Sequence, residues 1–220
     1  MLQGLDRYNR WIVGHLRPFA GRRLLEVGAG TGNLTRFFLR CEEILAVDLD
    51  EGFLKELERR IGPTPRVKTA VVDISSPDDL IGDRLFDTIL CVNVLEHIQD
   101  DEATLKRFRN HLAPGGRLLL LVPAHASLYG GVDSSAGHVR RYERRMLAGK
   151  LVAAGFLVER LRYFNMLGAI GWWVNVRLLR RKYLPLGQSR LLNILVPLLR
   201  LEDRINPPFG LSLIAVAVRR

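Results

Sequence analysis

The fold of this 220-residue chain is decided by one stretch, residues 24–35, with the sequence LLEVGAGTGNLT. The apolar run from Leu24 to Val27 predicts a short buried strand. Glycines at positions 28, 30 and 32 predict a sharp turn whose backbone can approach a ligand without a Cβ in the way. Apolar residues with helical spacing follow, so we expect strand, turn and helix to form the first crossover of a nucleotide-binding α/β sheet.

Length and composition predict one folded domain spanning residues 1–220. Hydrophobic residues make up 48% of the chain, which is ordinary for a globular protein. The two cysteines, Cys41 and Cys91, have no metal-binding or redox spacing and suit a reducing compartment. No apolar run is long enough to span a bilayer, and the first residues lack the apolar core of a signal peptide. We therefore expect a cytoplasmic protein.

The charge of +10 is distributed unevenly along the chain. Residues 1–139 hold 17 Lys and Arg against 19 Asp and Glu, whereas residues 140–220 hold 16 against 4. Such a basic C-terminal third favours an anionic partner: a membrane surface, a phosphorylated substrate or a nucleic acid. A solvated basic surface without a partner remains the simpler alternative.

Acidic residues follow three consecutive predicted strands. Glu26 lies within the first strand, Asp48 ends the second (44–47), and Asp73 ends the third (66–72). The ligands of open α/β sheets bind where parallel strands end, and a carboxylate after strand two can accept both ribose hydroxyls of a nucleoside. Asp50 is better suited to capping the next helix. We expect Glu26, Asp48 and Asp73 to share one crevice.

These residues belong to a series of motifs that resembles the class I S-adenosylmethionine-dependent methyltransferases. The motifs occur in the family's order: EVGAGTG at 26–32, Asp48, Asp73, NVLEH at 93–97 and LAPGG at 112–116. The resemblance implies a Rossmann-like, doubly wound, mostly parallel sheet of order 3-2-1-4-5-7-6. Strand 7 is antiparallel, and a helical insertion lies between strands 6 and 7. It implies S-adenosyl-L-methionine as cofactor and S-adenosyl-L-homocysteine as product, held by Glu26, Gly28, Ala29, Gly30, Gly32, Asn33, Asp48, Leu49, Asp73, Ile74, Asn93, Val94 and Leu95.

The resemblance also implies where an acceptor is activated. Residues 124–142 form a long segment after strand five that is expected to act as a substrate lid. Its end, GHVRRY at 137–142, resembles a bacterial methyltransferase subgroup. A hydroxyl or ammonium acceptor must lose a proton, which suits a histidine with a pKa near neutrality. The candidates for catalysis are His138 first, then His97, His125 and Tyr142; a purely structural role for His97 is the alternative. We expect no metal.

Two segments outside the sheet are further candidates for function. Residues 1–17 predict an amphipathic helix, and in similar methyltransferases a leading helix closes over the cofactor, which makes Tyr8 a candidate contact. Residues 166–209 form a basic, aromatic insertion. Basic amphipathic helices with tryptophan suit a membrane interface, but the insertion equally fits a pocket wall, a dimer face or packing on the sheet.

The sequence thus predicts a methyltransferase that acts on a small-molecule or lipid-like acceptor. One alternative is a membrane-peripheral enzyme of a polyprenyl, quinone or glycolipid acceptor, and another is a non-catalytic, cofactor-binding partner protein. Homodimerisation stays open. The segment NPPF at 206–209 resembles the motif of DNA and amide-nitrogen methyltransferases but precedes strand seven instead of ending strand four, so it predicts a turn. We expect no nucleic-acid partner.

Overall fold

The computed structural model of the chain describes residues 5–76, 81–179 and 186–220. Its seven strands form one sheet of order β3-β2-β1-β4-β5-β7-β6. Strands β1 to β5 pair in parallel, and β7 pairs antiparallel with both β5 and β6. The predicted fold class, strand order and orientation of strand seven are confirmed. The strands are β1 Arg23–Val27, β2 Glu43–Asp48, β3 Val67–Val71, β4 Phe86–Val92, β5 Leu112–Pro123, β6 Phe156–Phe164 and β7 Ser212–Arg219.

The central strands are buried on both faces because side chains alternate between two apolar layers. In β1, Leu25 and Val27 face one layer and Leu24 faces the other. The edge strand β3 is only partly buried. This arrangement brings the carboxyl ends of β1 to β5 to one edge of the sheet.

Seven α-helices lie in the described residues: α1 Asp6–Leu16, α2 Glu51–Ile61, α3 Asp101–Asn110, α4 Gly131–Ser135, α5 Arg144–Ala153, α6 Met166–Trp173 and α7 Leu186–Leu199. The helix predicted after the glycine turn is absent, and a 3-10 turn at Thr35–Phe37 replaces it. Thr and Phe are weak helix formers, and no side chain caps the start of this turn. Burial of Leu34 and Phe38 holds the short turn in place.

The sequence predicts a tight turn at residues 112–116 and strand five over residues 118–122, but the strand begins earlier. Leu112 already pairs with Phe86, and the LAPGG segment is an irregularity within β5, with Gly115 at φ 76°. The expected lid segment contains a 3-10 turn at Ala126–Leu128 and α4, and it returns to the sheet through a bridge between Ala124 and Tyr142. It is a folded layer rather than an open loop.

The insertion between β6 and β7 begins with α6 and one π-helical turn, Val174–Leu178, and it continues with α7 and a 3-10 turn, Arg200–Arg204. Residues 180–185 lie outside the described residues. They include Arg180, Arg181 and Lys182, which belong to the basic insertion that the sequence predicts. Among the helices that are described, none combines the length and apolarity needed to cross a bilayer.

Side chains of the insertion fasten it to the rest of the domain. Asn193 Oδ1 accepts hydrogen bonds from the backbone N–H groups of Arg7 and Tyr8, at 2.8 and 3.3 Å, and so caps α1. Asp203 accepts a hydrogen bond from Trp11 Nε1 at 2.9 Å, and Glu202 accepts one from the Asn165 backbone N–H at 2.6 Å. Of the roles that the sequence left open for the insertion, packing on the domain applies to the part that contains Asn193, Glu202 and Asp203.

Candidate active site

The glycine turn after β1 has a backbone that residues with a Cβ rarely adopt. Gly28, Gly30 and Gly32 have φ values of 70°, 54° and 77°. A Cβ on Gly28 would lie 2.3 Å from Val94 Cγ2, so the turn packs directly against the residues that follow β4. Nothing lies within 4 Å of a Cβ built on Gly30, which leaves open space over that residue. The turn offers an open, bulk-free surface next to the end of β4.

Glu26 lies beneath this turn and is 2% exposed. Its Oε2 has no hydrogen-bond partner among the described residues. Burial raises the pKa of Glu26 to about 7, and the charge of Asp48 adds to that effect. A buried carboxyl oxygen without a partner is costly, so the site suits a ligand that brings a cationic hydrogen-bond donor.

Asp48 ends β2 and faces the glycine turn. Its Oδ2 accepts a hydrogen bond from the Gly30 N–H at 2.8 Å, and its Oδ1 accepts one from the Asp50 N–H at 3.1 Å. Asp50 caps α2 by accepting from the N–H groups of Gly52 and Phe53. Leu49, between the two acids, is 68% exposed at the same edge. The division of roles expected for Asp48 and Asp50 agrees with this geometry.

Asp73 follows β3 and is exposed. Its Oδ1 accepts hydrogen bonds from the backbone N–H and the hydroxyl of Ser75, at 2.8 and 2.6 Å. The hydrogen bond from the Ser75 hydroxyl lowers the pKa of Asp73, which therefore stays ionised at neutral pH. Ile74 is partly buried against the core layer next to it.

The end of β4 completes the edge. Asn93 has φ 54°, and its backbone N–H donates to the Leu121 carbonyl at 2.9 Å. Val94 follows and packs on Gly28, whereas Leu95 is fully buried. We call Glu26, the turn 28–33, Asp48 and Asp73 the cofactor edge. The structure thus brings the predicted acids and the glycine turn to neighbouring strand ends.

Three other predicted cofactor residues occupy different surroundings. Ala29 is buried, and Asn33 Oδ1 accepts a hydrogen bond from Arg60 Nη1 at 3.1 Å. Tyr8 is 7% exposed and packs against Trp11 and Phe164. Its hydroxyl accepts a hydrogen bond from Asn165 Nδ2 at 3.3 Å, and burial raises the pKa of Tyr8 to about 12. The structure shows Tyr8 as a core residue of α1.

A polar cluster that combines a buried acid, Glu96, with the exposed His97 and the partly buried His138 follows the end of β4. Glu96 is 0% exposed, and neither of its carboxylate oxygens has a hydrogen-bond partner within the described part of the chain. Burial raises the pKa of Glu96 to about 8. His138 Nε2 lies 3.9 Å from Glu96 Oε1, and the rings of His97 and His138 meet edge to face at 4.8 Å. The first two catalytic candidates are therefore neighbours.

Each of these two histidines is held through its Nδ1 atom. His138 Nδ1 lies 2.9 Å from Asp133 Oδ1, and His97 Nδ1 lies 3.2 Å from the Gly137 carbonyl. An ionised carboxylate and a carbonyl only accept, so each neutral imidazole donates from Nδ1 and keeps its lone pair on Nε2. Burial and the neighbouring His138 lower the pKa of His97. Both rings are therefore poised to accept a proton or another electrophile.

Sequence reasoning missed three members of this cluster: Glu96, Asp133 and Arg141. Arg141 Nε donates to Asp133 Oδ1 at 2.8 Å, and its guanidinium lies 4.4 Å from the Trp172 ring of the insertion. Both charged side chains of this pair are almost completely buried. The only available signal was that two of them lie inside the quoted NVLEH and GHVRRY segments. We call Glu96, His97, Asp133, His138 and Arg141 the acceptor cluster.

The remaining two candidates lie elsewhere. Tyr142 is 0% exposed, and its hydroxyl lies 2.8 Å from Asp101 Oδ2, which fits a structural role. His138 and Tyr142 lie four positions apart and would share a face if a helix began there, but α5 begins only at Arg144. His125 has φ 62° and stacks on Tyr163 at 4.9 Å. The structure does not bring these two side chains into the acceptor cluster.

Comparison with known proteins agrees with this geometry. Residues 25–118 match the model of a family described as a methyltransferase domain. These residues are therefore similar to a methyltransferase domain.

The matches to curated relatives each cover about half of the chain. The chain is 34% identical over 110 residues to squalestatin hexaketide synthase of Phoma sp., covering 44% of this chain and 4% of that protein. It is 33% identical over 127 residues to a ubiquinone biosynthesis O-methyltransferase of Xanthomonas euvesicatoria, covering 54% of this chain and 50% of that one. The chain spans at most half the length of these two relatives.

Solved structures extend the similarity to the whole fold. An S-adenosylmethionine-dependent methyltransferase from Mesorhizobium loti superposes with a TM-score of 0.68 at 17% identity, covering 98% of this chain and 100% of that one. The N-methyltransferase NodS from Bradyrhizobium japonicum, solved with S-adenosyl-L-homocysteine, gives 0.64 at 14% identity, covering 99% and 90%. The [4+2]-cyclase SpnF gives 0.63 at 19% identity, covering 97% and 81%. At these identities the likeness establishes the fold.

The residues of the cofactor edge fit S-adenosylmethionine. The unpartnered Glu26 oxygen suits the ammonium group of its methionine portion, and Asp48 suits the two ribose hydroxyls. The open space over Gly30 leaves room at this edge for a ligand. The carboxylate of Asp73 is an acceptor that suits the adenine amino group.

Proposed function

We propose that this chain is an enzyme that transfers a methyl group from S-adenosylmethionine to a small-molecule or lipid-like acceptor, through an atom that must lose a proton. When bound, the cofactor supplies an electrophilic methyl group on a sulfonium. The observation that carries the proposal is the contact between the His97 and His138 rings, each of which is held through its Nδ1 atom. His97 lies three residues beyond Val94, which packs on the cofactor turn.

The roles of the chain's own residues follow from their positions. The cofactor edge binds and orients the cofactor, with Asp48 fixing the ribose. The acceptor cluster receives the proton that the acceptor loses, because each imidazole is held through Nδ1, by Asp133 or by the Gly137 carbonyl, and presents Nε2 as a proton acceptor. The folded segment 124–142 contributes His138 to this cluster. We also propose that the chain belongs to the subgroup with the GHxRRY segment, whose His138 and Arg141 form this cluster.

Calorimetric titration with S-adenosylhomocysteine tests the cofactor half of the proposal. We expect one molecule bound per chain, and at least tenfold weaker binding by Asp48→Ala. Asp87→Ala, at the opposite end of the sheet, is the matched control and should bind like the wild type. Absence of binding to folded wild-type protein would overturn the proposal.

Turnover tests the other half. With the wild type, S-adenosylhomocysteine should accumulate when small hydroxylated or lipid-like acceptors are added. The His138→Asn variant should form much less of it with the same acceptors. Binding without any turnover over a broad acceptor panel would instead favour the alternative, a non-catalytic cofactor-binding partner. SpnF illustrates that this fold also carries chemistry named for a cyclisation.

A second candidate is a membrane-peripheral enzyme that acts on a polyprenyl, quinone or glycolipid acceptor. The observation that favours it is a set of exposed apolar side chains on the insertion: Leu167, Ile170, Trp173, Leu178, Ile194, Leu198 and Leu201, each 46–66% exposed. Arg200 and Arg204 are exposed beside them, and the C-terminal third is strongly basic. Apolar surface with flanking cations suits an anionic bilayer interface.

Vesicle sedimentation tests this second candidate. We expect binding to vesicles that contain phosphatidylglycerol, weaker binding to neutral vesicles, and loss of binding by the double variant Trp173→Ser with Ile194→Ser. Leu157→Ser, an exposed position on β6, is the control that should keep binding. If the protein stays in solution and elutes as a dimer that the double variant dissociates, the exposed surface is a homodimer face. We otherwise expect a cytoplasmic protein.

A further inference from the structure

The acceptor cluster has the composition of a metal site. Among the described residues, Glu96, His97 and His138 are the group whose carboxylate and imidazole ligand atoms all lie within 4.8 Å of one another. Two imidazole nitrogens and one carboxylate oxygen are a ligand set of zinc and of non-haem iron, with positions left open for water or substrate. The sequence had predicted no metal, because the two histidines lie 41 positions apart.

Glu96 provides an independent reason to expect a cation. The side chain is 0% exposed, and both of its oxygens lack a hydrogen-bond partner within the described residues. The cationic Arg141 is near but is already bound to Asp133, so it does not satisfy Glu96. Buried carboxylates are retained when they are paired or coordinate a metal. The free oxygens of Glu96 face the His138 Nε2 atom at 3.9 Å.

The hydrogen bonds behind the two rings provide a third reason. Metal-binding histidines usually donate their other ring N–H to a carboxylate or a backbone carbonyl, which fixes the tautomer and the ring orientation. His138 donates to Asp133 and His97 donates to the Gly137 carbonyl, so both rings already have this support. A tetrahedral ion with bonds of about 2.1 Å needs ligand atoms about 3.4 Å apart. Glu96 Oε1 and His138 Nε2 are 3.9 Å apart, and all three ligand atoms lie within 4.8 Å of one another, so side-chain rotations must bring them closer by about 0.5–1.4 Å.

We propose that Glu96, His97 and His138 bind one divalent first-row transition ion, with Zn²⁺ as its reference. This inference rests on the proposed function, because an ion here would lie beside the methyl acceptor. It would lower the pKa of an acceptor hydroxyl that reached it, and the released proton would pass to water. In that case the two imidazoles act as ligands, and His138 is not a free general base.

Metal binding is measured directly on chelator-treated protein without a polyhistidine tag. Calorimetry should give one Zn²⁺ per chain, and Co²⁺ should give visible absorption bands typical of nitrogen and oxygen ligands. Mg²⁺, which prefers oxygen ligands, should bind far more weakly. We expect Glu96→Gln and His97→Asn to bind Zn²⁺ at least 100-fold more weakly, since each removes a ligand. His111→Gln, a histidine outside the cluster, is the matched control and should keep wild-type affinity.

Three outcomes would overturn the inference. They are no saturable Zn²⁺ binding, binding that survives both ligand variants, and Co²⁺ bands that are the same in Glu96→Gln and wild type. Folding is checked separately, since Glu96→Gln is nearly isosteric and places no charge in the buried site, so it is expected to unfold no earlier than wild type. If the protein binds S-adenosylhomocysteine but not Zn²⁺, the proposed function stands and the metal site is overturned. If it binds Zn²⁺ but not S-adenosylhomocysteine, only the proposed function is contradicted.

Discussion

The cofactor edge and the acceptor cluster lie at the same edge of the sheet, but they are held together by different means. In the cofactor edge, side chains accept from nearby backbone: Asp73 from Ser75, two residues away, and Asp48 from Gly30, 18 residues away. In the acceptor cluster, His97 meets Gly137 across 40 residues, and a buried ion pair provides the centre. The first region depends on local backbone geometry, and the second depends on tertiary packing of charged groups.

The largest effect should come from breaking the ion pair at the centre of the acceptor cluster. Arg141→Met leaves Asp133 buried without its cation, so we expect the free energy of unfolding to fall by about 3–5 kcal/mol. Denaturant unfolding followed by circular dichroism measures it. Arg117→Met removes a half-exposed pair with Glu159 and should cost only about 0–1 kcal/mol. Equal losses of stability in the two variants would show that the buried ion pair does not hold the acceptor cluster together more strongly than a surface pair would.

The next effect tests the backbone of the cofactor edge. Gly28→Ala combines an unfavourable positive φ with a 2.3 Å approach to Val94 Cγ2, so we expect a loss of about 2–4 kcal/mol. Gly30→Ala shares the positive φ without any neighbour within 4 Å, and it should lose about 1–2 kcal/mol. Thermal and denaturant unfolding compare the pair. If Gly30→Ala lowered the free energy of unfolding more than Gly28→Ala, the close contact with Val94 would not explain why residue 28 is a glycine.

The pH dependence of stability tests the buried acid of the cofactor edge. The pKa of Glu26 in the folded chain, about 7, lies above its ordinary value of 4.5, so the folded state retains a proton that the unfolded chain releases. Its stabilising contribution is complete below about pH 4.5 and is lost as the pH rises to about 7. Relative to Glu26→Gln, the wild type should lose on the order of 1–3 kcal/mol over this range.

The measurement is denaturant unfolding of both proteins at several pH values between 4.5 and 8. Taking the difference between the two proteins removes the contribution of other buried acids, such as Glu96. A constant difference over the range would show that Glu26 is ionised throughout.

The smallest effect separates the two acids that follow β2. Asp50→Ala removes the cap of α2, so we expect about 1 kcal/mol of destabilisation and unchanged affinity for S-adenosylhomocysteine. Asp48→Ala should show the opposite pattern, with weakened binding as the main effect. Calorimetry and denaturant unfolding of the two variants measure both quantities. Loss of cofactor affinity in Asp50→Ala would move the ribose contact to that residue.

The same contrast explains how much the sequence could predict. The strands, the glycine turn, Asp48 and Asp73 are local features, so apolar runs, glycine spacing and strand ends were enough to place them. The helix expected after Gly32 was wrong because burial of Leu34 and Phe38 outweighed their helical spacing. Glu96 and Asp133 were missed because their importance comes from partners that only the folded chain brings near.

The hydrogen bond between Asn193 and the start of α1 has a consequence for synthesis of the chain. Helix α1 receives its cap from a residue 186 positions later in the chain. Contacts of such long range form late, because a large loop of chain must close before they can be made. Newly made α1 must therefore wait for its cap until the insertion has been synthesised. An interval of this kind is when a nascent chain most needs a chaperone.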